Sequence, residues 1–279
     1  MAKPTLALIP ASQGSKLFSV LPSSGVGDFD FTRYGSATRI NSLGLIEDGT
    51  SNQSRLNYPL IDGKVVGCPH HILEPQRTQL VQYSEAFDNA YWNKLSQVSI
   101  TGNATISPTG ALNADNLTFD NSGVNTQLYK VLPITNGVHT QSIFIKYISG
   151  SGTSLRFSKS SAVSYAVNLT FTNNGSVLNG AKGANVDDFL IENFGNNWFR
   201  VSITYSFTSQ IEFNIYRFGG SGTDVYAIYG AQLESGSFPT SYIPNYGEAA
   251  GVTRAAETAN GAGDAATFND SEGVLMAEI

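Results

Sequence analysis

The residues of this sequence best suited to chemistry are aromatic side chains that alternate with polar ones. Trp198 and Arg200 share one side of the segment NWFRVSITYSF, and Asn214 and Tyr216 share one side of IEFNIYRF. Tyr91 lies in a further aromatic stretch, DNAYWNK. Sugar rings bind to flat aromatic faces, helped by hydrogen bonds from amide, hydroxyl and carboxylate groups. These five residues are therefore the sequence's candidates for glycan binding.

Each aromatic residue also has a purely structural interpretation. Trp198 could be covered by a loop or by a neighbouring subunit, because large aromatic side chains are usually buried. Tyr216 could be an ordinary solvent-exposed strand tyrosine. Trp92, next to Tyr91, is predicted to pack rather than to bind.

Metal and catalytic chemistry have little support in the sequence. Cys68 is the only cysteine, and the adjacent His70 and His71 point to opposite faces of an extended chain. Asp187 and Asp188 diverge in the same way and indicate a solvated loop. The sequence has no GxSxG, HExxH or P-loop motif, and its carboxylates are scattered. We therefore expect no bound cofactor and no enzyme activity.

Composition narrows the class of protein. The chain has 279 residues with only 14% charged, and glycine is abundant at 28 residues. Such a mixture favours strands and turns over helices. The net charge of -6 makes nucleic-acid binding improbable, since phosphate contacts need a basic surface. No signal peptide and no apolar run of about 20 residues is visible, so we expect synthesis in a cytoplasm without export or membrane insertion.

Residues 79–245 show the clearest alternation of apolar and polar side chains. In NWFRVSITYSF, every second residue from Phe199 to Phe207 is apolar, which is the pattern of a half-buried strand. YAVNLTF and IEFNIYRF repeat it, and SIFIKYI (142–148) is apolar on both faces, as a central strand would be. Further strands are predicted near 97–101, 114–119, 127–132, 154–158, 189–194 and 225–233. This spacing predicts an all-β protein with a two-sheet antiparallel β-sandwich.

The flanking regions differ from this central domain. Residues 1–78 hold six of the ten prolines and short strand-like runs, which predicts an extended region that needs a partner to bury a core. Residues 234–245 combine Gly236, Pro239 and Pro244 with apolar side chains, which predicts an irregular strap packed across the sandwich. Residues 246–279 are predicted to be a soft linker followed by the first strand of a possible further domain.

Several segments together resemble a recurrent phage and prophage virion-appendage protein. They are LVQYSEAFDNAYWNK, NNWFRVSITY, YGAQLESGSFPTSYIPN and VTRAAE, after an N-terminal block containing FDFTRYGSATRINSLGLIEDG, RLNYPLIDG and CPHHILEPQRT. The central domain is similar to the jelly-roll carbohydrate-binding modules of glycan-degrading enzymes. The resemblance implies a head-fibre or tail-fibre subunit in the virion, assembled in the bacterial host cytoplasm as a homotrimer. It also implies that residues 1–78 anchor the chain to other virion proteins of the capsid or tail. TFNDSEGVLMAEI looks like the opening strand of a laminin-G or concanavalin-like sandwich.

The resemblance leaves two functions open. The sandwich could present a site for host-surface glycans, or the chain could be a structural spacer, trimerisation or capsid-decoration protein without sugar binding. Similar modules often carry a structural calcium ion, and Glu85 occupies a position where one ligand is expected. Ala231 and Gln232 stand where further acidic ligands often occur, so a calcium site is not predicted here.

Overall fold

The computed structural model describes residues 5–95, 97–120, 126–134, 136–217 and 222–267, and its regular structure is almost entirely β. The N-terminal region contributes ten short strands, β1 (Ala7–Gln13), β2 (Lys16–Leu21), β3 (Phe29–Thr32), β4 (Ala37–Ile40), β5 (Ile46–Gly49), β6 (Arg55–Asn57), β7 (Leu60–Ile61), β8 (Lys64–Val65), β9 (His70–Ile72) and β10 (Arg77–Gln79). The central domain contributes β11 (Asn93–Leu95), β12 (Val98–Ile106), β13 (Leu112–Phe119), β14 (Gln127–Leu132), β15 (Gly137–Ser149), β16 (Ser154–Ser158), β17 (Ala166–Phe171), β18 (Leu178–Lys182), β19 (Asp188–Gly195), β20 (Trp198–Phe207), β21 (Ile211–Arg217) and β22 (Asp224–Ser235). Two further strands follow, β23 (Val252–Arg254) and β24 (Thr258–Asn260), and a 3-10 turn spans Val163–Tyr165.

The central strands form two six-stranded antiparallel sheets, which confirms the predicted β-sandwich. Sheet I has the order β12-β13-β22-β15-β20-β19, and sheet II has the order β11-β14-β21-β16-β17-β18. The strand β15, predicted as central, lies between β22 and β20. Within the described residues, no helix is long and apolar enough to cross a membrane.

The core lies between the two sheets, as the alternation predicts. Phe199, Val201, Ile203 and Tyr205 from β20 point inward, and they meet the apolar residues of β21 and β17 in one buried cluster. Burying a large aliphatic or aromatic side chain stabilises a fold by about 1.5–3 kcal/mol. This core is therefore the main source of the domain's stability.

The opposite face of sheet I is also buried, because the strap crosses it. The strand β22 continues to Ser235, so the irregular segment begins at Gly236. Tyr242 packs with Phe144, Trp198 and Tyr229 in a second apolar cluster, which confirms the predicted packing of the strap. Phe238 in contrast stays about half exposed, at 49%.

Side chains of sheet I hold the backbone of the strap. Glu234 accepts hydrogen bonds from the Thr240 amide (2.9 Å) and hydroxyl (2.6 Å), and Gln232 accepts one from the Ile243 amide at 2.7 Å. The Ser84 amide donates to the Asn245 carbonyl at 2.9 Å. This last bond brings the end of the strap back to the start of the sandwich, as predicted.

Part of the predicted C-terminal linker is ordered β-structure, which corrects the linker assignment for residues 252–260. The strand β23 pairs antiparallel with β10, and β24 pairs antiparallel with β3. The chain therefore returns to the N-terminal region after the strap. The predicted terminal strand in TFNDSEGVLMAEI falls almost entirely on residues 268–279, outside the described residues.

Five charged residues bring these segments together in a buried ion-pair cluster, made of Arg33, Arg55, Glu74, Arg254 and Glu257. The Glu257 carboxylate accepts from Arg33 at 2.8 Å and from Arg55 Nε at 2.7 Å. Glu74 pairs with Arg55 at 2.7 Å and with Arg254 at 2.9 Å. All but Glu74 have fully buried side chains.

The pKa values of the cluster show how strongly its charges interact. Burial alone would lower the pKa of Arg55, but hydrogen bonds and charges from Glu257 and Glu74 outweigh it, so that pKa is raised. Burial would raise the pKa of Glu74, but Arg254 and Arg55 outweigh it, so that pKa is lowered. The fold therefore favours the charged forms of Arg55 and Glu74, whereas burial lowers the pKa of Arg254 in spite of the charge of Glu74.

We expect Glu257→Gln to destabilise the protein by about 3–5 kcal/mol, because it leaves buried Arg33 without its carboxylate partner and leaves Arg55 with Glu74 alone. Urea denaturation measures the change as a shift of the unfolding midpoint. Asp30→Asn is the matched control, since Asp30 pairs with Lys16 at an exposed site and its loss costs about 0–1 kcal/mol. Equal effects of the two substitutions would show that the cluster is not important for stability.

Candidate functional site

The five residues predicted to bind a glycan do not form one site. Trp198 and Arg200 lie on the outer face of sheet I, whereas Asn214 and Tyr216 lie on the outer face of sheet II. Tyr91 precedes β11 and packs against the core cluster. The sandwich core separates the first pair from the second, so the two pairs are considered separately.

The structure corrects the prediction that Trp198 is an exposed platform. Its side chain is only 3% exposed, and its indole N–H donates to the Ile106 carbonyl at 3.0 Å. Ile46 from the N-terminal region and Tyr242 from the strap belong to the same buried cluster. The alternation placed Trp198 on the correct face of β20, but that face is covered, so the ring cannot stack on a sugar.

Arg200 is buried beside Trp198 and binds the strap. Its Nη2 donates to the Thr240 carbonyl at 2.7 Å and to the Ser142 hydroxyl at 3.1 Å. The guanidinium also lies over the Phe144 ring, 5.5 Å from its centre. The prediction that Arg200 joins Trp198 in an open sugar site is therefore also corrected.

The outer face of sheet II carries a polar and aromatic surface that includes Tyr216. The register places Tyr216 between Gln127 of β14 and Arg156 of β16, and Asn168 of β17 continues the same row. Tyr129 pairs with Asn214 in the neighbouring row. We call this surface the sheet II face; its partly exposed members are Gln127, Tyr129, Arg156, Asn168, Glu212 and Tyr216.

Hydrogen bonds between strands fix the side chains of the sheet II face. Arg156 Nε donates to the Asn168 side-chain oxygen at 2.6 Å, and the Arg156 guanidinium lies 5.5 Å from the centre of the Tyr216 ring. Burial raises the pKa of Tyr216, and the charge of Arg156 opposes that shift. The Tyr216 hydroxyl therefore stays protonated at neutral pH; its oxygen is buried, so the exposed part of the residue is its ring.

Asn214 is fully buried beneath this surface, at 0% exposure, which corrects its prediction as a residue in contact with ligand. Its amide donates to Gln127 Oε1 at 2.9 Å and to Glu212 Oε2 at 3.1 Å. It thus positions the side chains of Gln127 and Glu212, which are partly exposed. A buried amide in this place orders the surface without touching a ligand.

Tyr91 is a packing residue at one end of the sandwich. Its ring meets Trp92 edge-on with centres 5.4 Å apart, and the Lys130 ammonium lies 4.2 Å from its centre. Burial raises its pKa to about 12. Trp92 itself is 2% exposed, which confirms the prediction that it packs.

The residues around Glu85 do not fit a calcium site. Glu85 Oε1 accepts hydrogen bonds from Tyr229 at 2.9 Å and Tyr242 at 3.0 Å, so tyrosine hydroxyls already surround it. Burial raises the pKa of Glu85, and the hydrogen bonds from Tyr229 and Tyr242 oppose that shift. Among the described residues, no group of three or more His, Cys, Asp or Glu side chains is placed to hold a metal.

The sequence reasoning missed Tyr129, Arg156, Gln127 and Asn168 as members of the sheet II face. Their strands alternate, so parity alone could have placed Tyr129 on the same outer face as Tyr216. The alternation of side chains along a strand does not show which other strands lie next to it in the sheet. The row of side chains across four strands therefore becomes visible only in the structure.

Comparisons with known proteins give weak likenesses in fold and no match in sequence. No protein-family model matches the chain, and no curated protein matches it. One similar structure is the CBM22 and GH10 modules of a Clostridium thermocellum endo-1,4-beta-D-xylanase with xylohexaose, at 14% identity and a TM-score of 0.32. Its alignment covers 57% of this chain and 27% of the xylanase chain, so this chain spans about a quarter of that protein.

Two further structures resemble the chain to a similar degree. A putative sugar binding protein of Bacteroides thetaiotaomicron has 12% identity and a TM-score of 0.29, with 57% of this chain and 95% of that chain covered. The tripod from the baseplate of bacteriophage Tuc2009 has 14% identity and a TM-score of 0.29. The alignment with the tripod covers 61% of this chain and 66% of that chain.

Glu85 gives a prediction about pH. Because its pKa is raised in the folded protein, the folded state must ionise a buried acid as pH rises above the ordinary value of 4.5. We expect the stability of the protein relative to Glu85→Gln to fall as pH rises through this range. The stability of the protein relative to Glu74→Gln should change with pH in the opposite direction. The pKa of Glu74 is lowered in the folded protein, so the stability that the Glu74 carboxylate contributes is lost as pH falls below 4.5. Thermal unfolding of the three proteins from acid to neutral pH measures both slopes, and equal slopes would contradict this account.

Proposed function

We propose that this chain is a non-catalytic glycan-binding subunit of a virion appendage, and that the sheet II face binds the glycan. The observation that carries the proposal is the row Gln127, Tyr216, Arg156 and Asn168, with Tyr129 in the next row. It joins two partly exposed aromatic rings to amide and guanidinium groups on a rigid sheet.

The chemistry of this surface suits a sugar better than a protein partner. Diagonal neighbours across paired strands lie about 7–8 Å apart, which lets Tyr129 and Tyr216 contact one short oligosaccharide. The phenol rings can face the C–H groups of a sugar, while Gln127, Asn168 and Glu212 offer acceptors and donors to its hydroxyls. A site of this kind binds weakly by itself, and a homotrimer would strengthen attachment by presenting three copies.

We expect Tyr216→Ala and Tyr129→Ala each to weaken glycan binding at least tenfold without unfolding the protein. A glycan array identifies a bound sugar, and titration calorimetry with that sugar measures the affinity of each variant. Tyr34→Ala is the matched control, because Tyr34 is 77% exposed and lies in the N-terminal region. A sugar that binds all three variants with equal affinity would show that the sheet II face is not the binding surface. A glycan array without any signal would reject the glycan-binding function. The bound glycan should also remain intact, since we propose no catalysis.

The virion part of the proposal depends on the N-terminal region. Its sequence resembles that of virion-appendage proteins, and the hairpin of β1 and β2 exposes apolar side chains, including Leu8 at 45% and Val20 at 49%. Exposed apolar side chains concentrated on one hairpin are typical of a surface that meets another protein. We propose that this hairpin contacts other virion proteins and that the chain assembles as a trimer.

Removing residues 1–78 would not test this contact, because it would also remove Arg33, Arg55 and Glu74 from the buried ion-pair cluster. The substitutions Leu8→Glu and Val20→Glu leave the cluster in place. We expect this double variant to fold but to be missing from purified particles, as measured by mass spectrometry of the particle proteins. Leu43→Glu, at a residue that is 78% exposed outside the hairpin, should be incorporated normally. Normal incorporation of the double variant would exclude the hairpin as the anchor. If the sheet II face also binds no sugar, the results together would favour a spacer or capsid-decoration role for the chain.

A further inference from the structure

A cavity of about 390 Å³ lies on the opposite side of the sandwich from the sheet II face. Three separate parts of the chain form its walls. They are the N-terminal region with Ile46 and Asn57, the edge of sheet I with Glu192 and Phe194, and the strap with Phe238. The volume is within the range of about 300–1,000 Å³ that is typical of small-molecule sites.

Two charged side chains in this cavity have atoms without partners. Arg200 is only 6% exposed, and its Nη2 binds the strap, but its Nε has no hydrogen-bond partner among the described residues. Glu192 Oε2 is buried and has none either. The two residues are directly paired across β19 and β20, yet they form no ion pair within the described chain. A buried polar atom left without a partner destabilises the fold, so a group that satisfies both atoms would bind favourably.

The remaining walls of the cavity are largely apolar and partly open to solvent. Phe194 packs edge-on against Phe144, with ring centres 4.9 Å apart. Phe238 and Leu190, which also line the cavity, are 49% and 46% exposed. A ligand that enters at Phe238 and Leu190 therefore meets apolar side chains before the buried polar atoms of Glu192 and Arg200.

We propose that this cavity is a second ligand site, which binds one or two units of a neutral sugar. A sugar hydroxyl can donate to the Glu192 carboxylate while a neighbouring hydroxyl accepts from Arg200 Nε. Two acidic and two basic side chains line the cavity, Glu74, Glu192, Arg39 and Arg200, so the lining has no excess of charge that would select an anion or a cation. The ring C–H groups would lie against Phe194 or Phe238. The site is independent of the sheet II face, since no residue is shared between them.

The test uses the full chain with glucose, galactose, mannose and N-acetylglucosamine, and with disaccharides of each. Thermal shift finds a sugar that stabilises the protein, and titration calorimetry measures its affinity. Glu192→Leu removes the carboxylate acceptor at nearly constant volume, and Phe238→Ala removes an exposed apolar wall. The matched control is Glu212→Leu on the sheet II face.

We expect a sugar whose affinity falls at least tenfold in Glu192→Leu and also falls in Phe238→Ala, but is unchanged in Glu212→Leu. If no sugar in the panel binds, the cavity proposal is wrong. The proposal also fails if binding is lost in Glu212→Leu and Tyr216→Ala but kept in Glu192→Leu. That last result would support the sheet II face as the binding surface, so failure of one site is distinguishable from failure of the other.

Discussion

The buried ion-pair cluster is the constraint on which the arrangement of this chain depends. Glu257 binds Arg33 and Arg55, which lie 224 and 202 residues before it in the chain. Glu74 joins Arg55 to Arg254, and four of the five side chains are fully buried. Removing charges from water is costly, so the cluster is stable only when all of its members are in place. Glu74 also accepts hydrogen bonds from the Ser241 amide and hydroxyl, which couples the strap to the same centre. The N-terminal region, the strap and the returning chain are therefore one structural unit.

This unit gives the two faces of the sandwich different roles. Both sheets present alternating side chains, but the N-terminal region and the strap cover the outer face of sheet I. Trp198 is consequently part of a second core, whereas Tyr216 remains partly exposed on the sheet II face. The cavity beside Arg200 exists because the covering is incomplete between the strap and β19.

The sequence predicted the elements of the sandwich better than their surroundings. Period-two alternation identified β20 and β21 with the correct inward residues, because side-chain direction in a strand depends only on parity. Parity cannot show what covers a face, so the sequence leaves open whether Trp198 is a sugar platform or is covered, and the structure shows that it is covered. The return strands β23 and β24 have three residues each in an Ala- and Gly-rich segment, too short for any periodic signal. Arg254 and Glu257 in VTRAAE look like solvated charges until their partners from the N-terminal region are known.

The pairing of β10 with β23 has a mechanical consequence. Arg77 lies opposite Arg254 and Gln79 opposite Val252, so the chain enters and leaves the sandwich side by side, as in the stem of a hairpin. The pairing of β3 with β24, in a separate sheet, holds the returning chain at a second place. A pulling force applied to the chain before β3 and after β24 would be carried by this stem and the ion-pair cluster, and both would have to open before any sandwich strand came under tension. The domain that carries the sheet II face is thus shielded from load along the chain.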